Sequence, residues 1–459
     1  MIKNDTICAL STAPGMGAIA LIRVSGAEAV AIAAKLFSKP ISDIASHKAT
    51  HGWIHDEGKK IDEVMLSVFR APRSFTGEDI VEVACHGSIF IQQTILELFL
   101  SHGANMAKPG EFTMRAYLNG KMDLSQAEAI GDLISSESEG AHKQALHQMR
   151  GGFSKEINHL RERLIHFASM VELELDFGEE DVEFANRDQL RKLLQEILGV
   201  VDTLKESFKL GNALKNGVPV AIIGAPNAGK STLLNALLNE DRAIVSDIAG
   251  TTRDTIEDHI ILDGIRYNFI DTAGIRHTED TIEKMGIERT FNKVRQASVV
   301  LLLFDVMTTT PRELADIKRH VLEEAGENVN TILLANKADN KGFDPEEFRL
   351  SFGESENMIV ISAKKGQHIE KLKAALLKSV QTGRVHSGET IVTNARHNDA
   401  LKKASSTLNE ILTGLDNGMT GDFLAIDIRK TLYHLGEITG EINADDLLNN
   451  IFSSFCIGK

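Results

Sequence analysis

Residues 219–238 read PVAIIGAPNAGKSTLLNALL, an apolar run, a glycine-punctuated loop and an apolar stripe at helical spacing. Within it Gly224–Ser231 fits G-x-x-x-x-G-K-[ST], with a strand entering and a helix leaving as that motif requires. The glycines let backbone N–H groups along Asn227, Ala228, Gly229, Lys230, Ser231 and Thr232 curl around the β- and γ-phosphates of a nucleotide. They do so at the positive end of the following helix. Lys230 adds a point charge to the phosphates, and the Ser231 hydroxyl is a magnesium ligand. A glycine turn before a helix can produce the same letters by chance, but the two correct flanks speak against that.

Downstream, the segments 259–263 (HIILD), 267–271 (YNFID), 299–305 (VVLLLFD), 331–336 (TILLAN) and 358–362 (MIVIS) are short, buried-type strands. Helical or loop stretches separate them, which predicts a parallel sheet with crossover helices. Asp271-Thr272-Ala273-Gly274 ends one strand: the Asp271 carboxylate can hold magnesium through water, and the Gly274 amide can meet the γ-phosphate. Asn336-Lys337-Ala338-Asp339 ends another. Its Asp339 can accept both N–H groups on the edge of a guanine, a pair adenine does not offer. Ser362-Ala363-Lys364 supplies a backbone amide to the guanine oxygen. In this order and spacing the set resembles the G motifs of the P-loop GTPase superfamily, which implies a Ras-like domain that binds GTP and GDP.

Gly250-Thr251-Thr252-Arg253-Asp254 lies between the phosphate loop and Asp271, where a switch sensing the γ-phosphate belongs, and Thr252 would complete the magnesium shell. Many GTPases follow the Gly274 position with a water-orienting Gln; here it is Ile275. Glu283 is a carboxylate on the next segment that can reach through a second water, or a solvated charge on a helix. No arginine finger is evident. Asn227 offers a carbonyl oxygen to a monovalent cation, and backbone carbonyls around 246–251 can close the cage.

The 459 residues carry 50 Lys+Arg against 65 Asp+Glu, a net charge of −15, which excludes nucleic-acid binding by bulk charge but not a local basic patch. No run approaches the roughly 18–20 apolar residues of a membrane span, and residues 1–10 have no signal-peptide pattern. Three cysteines without a CxxC argue against a disulfide framework or zinc site. The expectation is a soluble, cytoplasmic, multidomain chain. Residues 1–119 read as α/β, with strands at 6–10, 18–26, 64–69 and 79–87 and helical stretches at Glu28–Phe37 and Ile89–Leu100. Residues 120–215 read as helical, 216–383 as the α/β nucleotide domain and 384–459 as helical again. The economical arrangement is one helical domain interrupted by an inserted α/β domain, since insertion at a surface loop is tolerated. Gly15-Met16-Gly17 mimics a dinucleotide fingerprint but leads into a strand rather than a helix, and Asp176–Glu183 reads as a solvated acidic loop.

The phosphate loop, GTTRD, DTAGIR, NKAD, the long N-terminal domain and the ending Cys456-Ile457-Gly458-Lys459 together resemble the MnmE (TrmE) family of tRNA-modification GTPases along the whole chain. The resemblance implies potassium in place of an arginine finger, with Asn227, Ser246, Ile248 and Thr251 as ligands and Asp247, Ala249 and Gly250 in the same nucleotide-contacting stretch. It implies magnesium on Ser231 and Thr252, water oriented by Glu283, and a catalytic part for Lys230. It further implies a homodimer through the N-terminal domain, and a heterotetramer with the FAD-dependent protein MnmG. Together they would add an aminomethyl or carboxymethylaminomethyl group at carbon 5 of the wobble uridine of certain tRNAs. The one-carbon donor would be 5-formyltetrahydrofolate or a related tetrahydrofolate in a folate-binding N-terminal domain, touched by Arg23, Glu82, Lys121 and Lys459, with Cys456 beside it in the chemistry. One departure stands out: the family often has two glycines after the histidine of this segment, and here the residues are Cys85-His86-Gly87-Ser88. The rival reading is a regulatory ribosome-assembly GTPase of the Era or EngA type. An RNA-binding KH module after the G domain would favour it, whereas the chain after residue 380 reads helical instead.

Overall fold

The computed structural model describes residues 5–176, 187–240, 258–270, 295–325, 329–339, 358–380, 390–441, 448, 451–453 and 455–458. The chain divides into two compact units. The first comprises Met1–Ile134, His147–Arg187 and Gly414–Lys459; the second comprises Ser135–Leu146 and Asp188–Thr413.

The first unit is built on a six-stranded sheet of β1 (Ile7–Leu10), β2 (Ile19–Ser25), β3 (Lys48–Asp56), β4 (Lys59–Phe69), β5 (Ile80–His86) and β6 (Asn105–Met106). Its strand order is β3-β4-β5-β2-β1-β6, antiparallel except for the β1–β6 edge. Alternation sends Ile22, Val24, Leu66, Val81 and Val83 to one face, under the helices Ala29–Leu36 and Ile89–Ser101, whose Leu36 and Phe99 are fully buried. Burying each such side chain contributes about 2 kcal/mol. The strand β3 was not expected: the sequence reading began this hairpin only at residue 64. Asp56 pairs with Lys59 across Glu57-Gly58, both at positive φ (45° and 87°), the conformation that a tight two-residue hairpin turn demands.

Later in this unit, the helices Gly152–Asp176 and Gly421–Thr439 lie antiparallel, with Val171 against Ala425 and Arg161 ion-paired to Glu441. The stretch 120–215, read as helical, opens with the helices Leu124–Ser135, Glu139–Met149 and Gly152–Asp176, with Gly151 at φ 78° before the third.

The second unit holds β7 (Val218–Ile223), β8 (Asp258–Leu262), β9 (Ile265–Phe269), β10 (Val299–Asp305), β11 (Asn330–Asn336) and β12 (Met358–Val360), in the order β12-β11-β10-β7-β9-β8. Helix residues Leu233, Leu237, Leu372 and Leu376 cover one face, and Leu314 and Val321 the other, so β10 is buried on both sides. The sheet is not wholly parallel, as expected from alternation alone. The edge strand β8 runs antiparallel to β9 because Asp263-Gly264, at φ 49° and 77°, close a second two-residue hairpin. The tip of this hairpin meets the segment 135–146: a side chain on Gly140 would strike the Gly264 carbonyl at 2.6 Å, and Arg266 is ion-paired to Glu137.

In the first unit Arg115 is 2 % exposed and binds three carboxylates, Asp5 and Glu111 at 2.8 and 2.9 Å from Nη2 and Glu78 at 3.2 Å from Nη1. Burial opposes its charge, but the hydrogen bond to Glu111 and the surrounding carboxylates outweigh burial and hold its pKa above the ordinary value. Arg115→Ala would leave those carboxylates unbalanced and should cost about 3 kcal/mol. The single tryptophan, Trp53, lies on β3 of the same sheet, so its fluorescence in a urea titration reports the loss as a lower unfolding midpoint.

Candidate functional sites

The phosphate loop leaves β7 at Gly224 and enters the helix Lys230–Glu240. Two of its residues need left-handed backbone, Asn227 at φ 62° and Gly229 at φ 101°. Neither glycine of the motif tolerates a side chain: a Cβ on Gly224 would lie 2.1 Å from the Leu303 carbonyl, and one on Gly229 would lie 2.4 Å from Asn336 Nδ2. Lys230 folds back over the loop and donates to the carbonyls of Gly224 (2.8 Å) and Ala225 (3.0 Å), which puts its charge at the loop's mouth. Ser231 and Thr232 follow in the first turn of the helix.

Asn336, at the end of β11 and 3 % exposed, ties this loop to the next. Its Nδ2 donates to the Ala228 carbonyl at 2.7 Å, and its Oδ1 accepts from the Ala363 amide at 3.0 Å. Lys337, at φ 63°, reaches Asp305 at the end of β10 (2.6 Å). Asp339 accepts the Ser362 hydroxyl on Oδ1 (2.9 Å) and the Lys365 ammonium on Oδ2 (3.1 Å). Those two donors, Ser362 foremost, hold its carboxyl below the ordinary carboxylate value, so it is present as an acceptor. A carboxylate has about four lone-pair positions, which leaves room for two N–H groups of a base edge. Of the Ser362-Ala363-Lys364 segment, the Ala363 amide is engaged by Asn336, whereas Lys364 is exposed. Lys365 was missed by sequence reasoning, although it is the next residue of the same basic run. The structure thus brings together Asn227, Ala228, Gly229, Lys230, Asn336, Ser362 and Ala363, with Asp339 tied in through Ser362. Ser246, Asp247, Ile248, Ala249, Gly250, Thr251, Thr252, Asp271, Thr272, Ala273, Gly274 and Glu283 lie outside the described residues.

A second site lies in the N-terminal sheet. Arg23 on β2 and Glu82 on β5 are cross-strand partners and form a 2.8 Å ion pair, each side chain 20 % exposed. The guanidinium stacks on Phe75 and Phe112, 5.6 and 5.7 Å from the ring centres, an arrangement that fixes its plane. Lys121 bonds the Pro72 carbonyl at 2.9 Å, on the same 70–79 connection that carries Phe75. The ending of the chain reaches the far end of β1. Gly110, just before the helix that bears Phe112, donates to the Cys456 carbonyl (3.4 Å), and Ser11 donates to the Gly458 carbonyl (3.0 Å). Gly458 has φ 95°, and a Cβ there would meet the Leu10 carbonyl at 2.2 Å. Cys456 is exposed, whereas burial pushes the Cys8 thiol up to about 12, and burial with the Asp62 charge pushes Cys85 up to about 11. Only Cys456 of the three is placed for thiol chemistry. Lys459 lies outside the described residues.

Among the described residues no group of three or more His, Cys, Asp or Glu is arranged to hold a metal, and no helix is long and apolar enough to cross a membrane. The Asp339 geometry makes a direct prediction. Asp339→Asn presents one donor where guanine needs an acceptor, so nucleotide preference should move from GTP toward xanthosine triphosphate. Competition binding with a fluorescent nucleotide measures it, and unchanged GTP preference would remove Asp339 from the base pocket.

A family model described as the GTP-binding protein TrmE N-terminus matches residues 6–121, and one described as the MnmE helical domain matches residues 124–456. The tRNA modification GTPase MnmE of Cytophaga hutchinsonii is 55% identical over 457 residues, covering 99% of this chain and 98% of that one. Those of Christiangramia forsetii and Flavobacterium johnsoniae are 52% and 51% identical with full coverage of both chains. Among solved structures, Era in complex with MgGDPNP and nucleotides 1506-1542 of 16S ribosomal RNA aligns with 41% of this chain and 66% of its own, at 26% identity and a TM-score of 0.28. Identity above one half along the entire length goes far beyond a coincidence of short motifs, and the chain belongs to the tRNA modification GTPase MnmE family.

Proposed function

We propose that this chain hydrolyses GTP and uses the turnover to drive modification at carbon 5 of the wobble uridine of certain tRNAs. In this reading it works as a homodimer in the cytoplasm, in a heterotetramer with the FAD-dependent MnmG, and adds an aminomethyl or carboxymethylaminomethyl group. The one-carbon unit comes from 5-formyltetrahydrofolate or a related tetrahydrofolate. The observation that carries the nucleotide half is the pair of amide bonds from Asn336, which holds the phosphate loop and the base loop in one frame. The organisation into segments 1–119, 120–215, 216–383 and 384–459 belongs to the same reading.

The residues present fit the groups the reading requires. Gly229 lets the phosphate loop close against the Asn336 amide, where a Cβ would lie 2.4 Å from Nδ2, and Asp339 is held in its acceptor form by Ser362 and Lys365. Lys230 is poised to neutralise phosphate oxygens, Ser231 offers a hydroxyl to magnesium, and Asn227 offers its side-chain oxygen to potassium. Magnesium and potassium, when bound, supply the positive charge that phosphoryl transfer needs in the absence of an arginine finger. Glu283 is assigned to the attacking water. In the N-terminal sheet, Glu82 suits the amine and ring N–H of a pterin and Arg23 orients it, since their ion pair is partly exposed and backed by two aromatic rings. Among the described residues after 390, the long elements are the helices Ala395–Asp416 and Gly421–Thr439, which offers nothing to the ribosome-assembly reading.

Two measurements test this function. GTP hydrolysis should be at least tenfold faster in potassium than in sodium at equal ionic strength; equal rates would remove Asn227 from its role. Deleting residues 456–459 takes away the contacts to Leu10, Ser11 and Gly110 beside the folate-type site. The nucleotide site is in the other unit, so the deletion should abolish wobble-uridine modification in cells while potassium-stimulated hydrolysis stays within twofold. Nucleoside mass spectrometry and phosphate release on the same variant decide it, and normal modification would overturn the assignment.

A further inference from the structure

The sheet face that carries Arg23 and Glu82 continues beyond them. By alternation Glu82, Ala84 and His86 share one face of β5, and their partners Arg23, Leu21 and Ile19 share it on β2. At the Arg23 end Phe75 and Phe112 cover this face. Toward the other end it opens: Leu21 and Ala84 are half-buried, Met65 on β4 is 42 % exposed and Ile19 69 %. The chain ending borders the middle, because Ser11, which holds Gly458, also donates its amide to the Leu21 carbonyl at 2.7 Å.

The open end is capped by a fixed imidazole. His86 is 67 % exposed, yet its Nδ1 is 2.8 Å from Asp62 Oδ1, and its backbone N–H donates to Asp62 Oδ2, also at 2.8 Å. Asp62 is itself 8 % exposed, so a buried carboxylate commits one oxygen to the ring of a surface histidine and the other to that residue's backbone. The loop beside it is equally constrained. Gly17 and Gly87 exchange backbone bonds at 3.0 Å, Gln92 bonds the carbonyls of Gly15 and Gly87, and a Cβ on Gly87 would strike the Gly17 carbonyl at 2.3 Å. With Nδ1 committed to Asp62, Nε2 is the ring nitrogen left for a ligand.

The polar residues assigned to this site that are described, Arg23, Glu82 and Lys121, sit at one end. Arg23 and Glu82 are paired to each other, and Lys121 is held on the connection that covers Arg23, so none of them lies at the far end of the face. His86 lies four residues from Glu82, about 13 Å along an extended strand. A reduced folate is an elongated molecule with a hydrogen-bonding bicyclic head, an apolar aryl middle and an anionic glutamate end, the same sequence of chemistries that this face presents from Glu82 through Leu21 and Ala84 to His86.

We propose that His86, oriented by Asp62, binds the glutamate carboxylate of the one-carbon carrier whose head lies at Glu82, an inference that rests on the folate reading above. Asp62 is then a positioning residue, and in its protonated form the ring donates Nε2–H to the anion while Asp62 balances its charge.

Calorimetric titration of the full chain with 5-formyltetrahydrofolate, accompanied by light scattering, tests this. His86→Ala, a change at an exposed position, should weaken binding about tenfold without altering the oligomeric state. His86→Lys, which restores a cation, should bind within threefold of the wild type, and Glu82→Gln should lose at least tenfold. If Glu82→Gln weakens binding but His86→Ala stays within twofold, His86 is not the tail contact and the folate reading stands. If neither change matters, or the wild type takes up no ligand, the folate reading itself fails. Weaker binding of His86→Ala accompanied by a change in mass would make the ring part of an interface between copies, and would also overturn the proposal.

Discussion

The geometry of the nucleotide-type site depends on one side-chain amide. Asn336 stands at the end of a central parallel strand, and its two ends bond backbone groups of loops more than a hundred residues apart in sequence, Ala228 and Ala363 at 2.7 and 3.0 Å. A buried amide with both functions satisfied behaves as a cross-brace; with one function unmet it would cost about 1–3 kcal/mol. The brace requires close approach of backbone to side chain, which is why Gly229 has no room for a methyl group. Strand, amide and glycine are therefore one constraint, and the position of Asp339 against Ser362 and Lys365 follows from it.

This part of the molecule was legible in the sequence because its chemistry is contiguous. A phosphate loop needs its glycines, lysine and hydroxyl within eight positions, and NKAD and SAK each sit directly at a strand end. The N-terminal sheet was less readable, for a physical reason. Strand β3 lacks clear alternation, and its turn, Glu57-Gly58, is not the Asn-Gly pair that marks such hairpins most strongly. Arg23 and Glu82 came to notice only through family resemblance, because nothing local to LIRVSG or VEVACHG says that the two are cross-strand partners. Lys365, Arg115 with its three carboxylates, and the Asp62–His86 pair went unseen for the same reason: their partners converge through register and loop closure. The parallel-sheet expectation erred at β8, where Asp263-Gly264 reverses the chain before a crossover helix can form.

The grouping of residues 135–146 with the nucleotide-type sheet adds a point that composition did not suggest. A helical stretch read as part of the scaffold presents Glu137 and Gly140 to the β8–β9 hairpin, backbone against backbone at Gly140 and Gly264. The absence of a side chain at either glycine is what lets the two backbones come this close.

The bond between Ser11 and Gly458 spans 447 residues. On a ribosome adding about 5–20 residues per second, the partner of the first strand arrives roughly 20 to 90 seconds after that strand has left the tunnel. Throughout that interval Leu10 and Ser11 lack the contacts that Gly458 later supplies, although β1 already has β2 and β6 as its neighbours. The N-terminal site is thus completed last, after the domain that consumes nucleotide is already in place. Conditions that slow elongation would lengthen the time for which that corner of the site stands open.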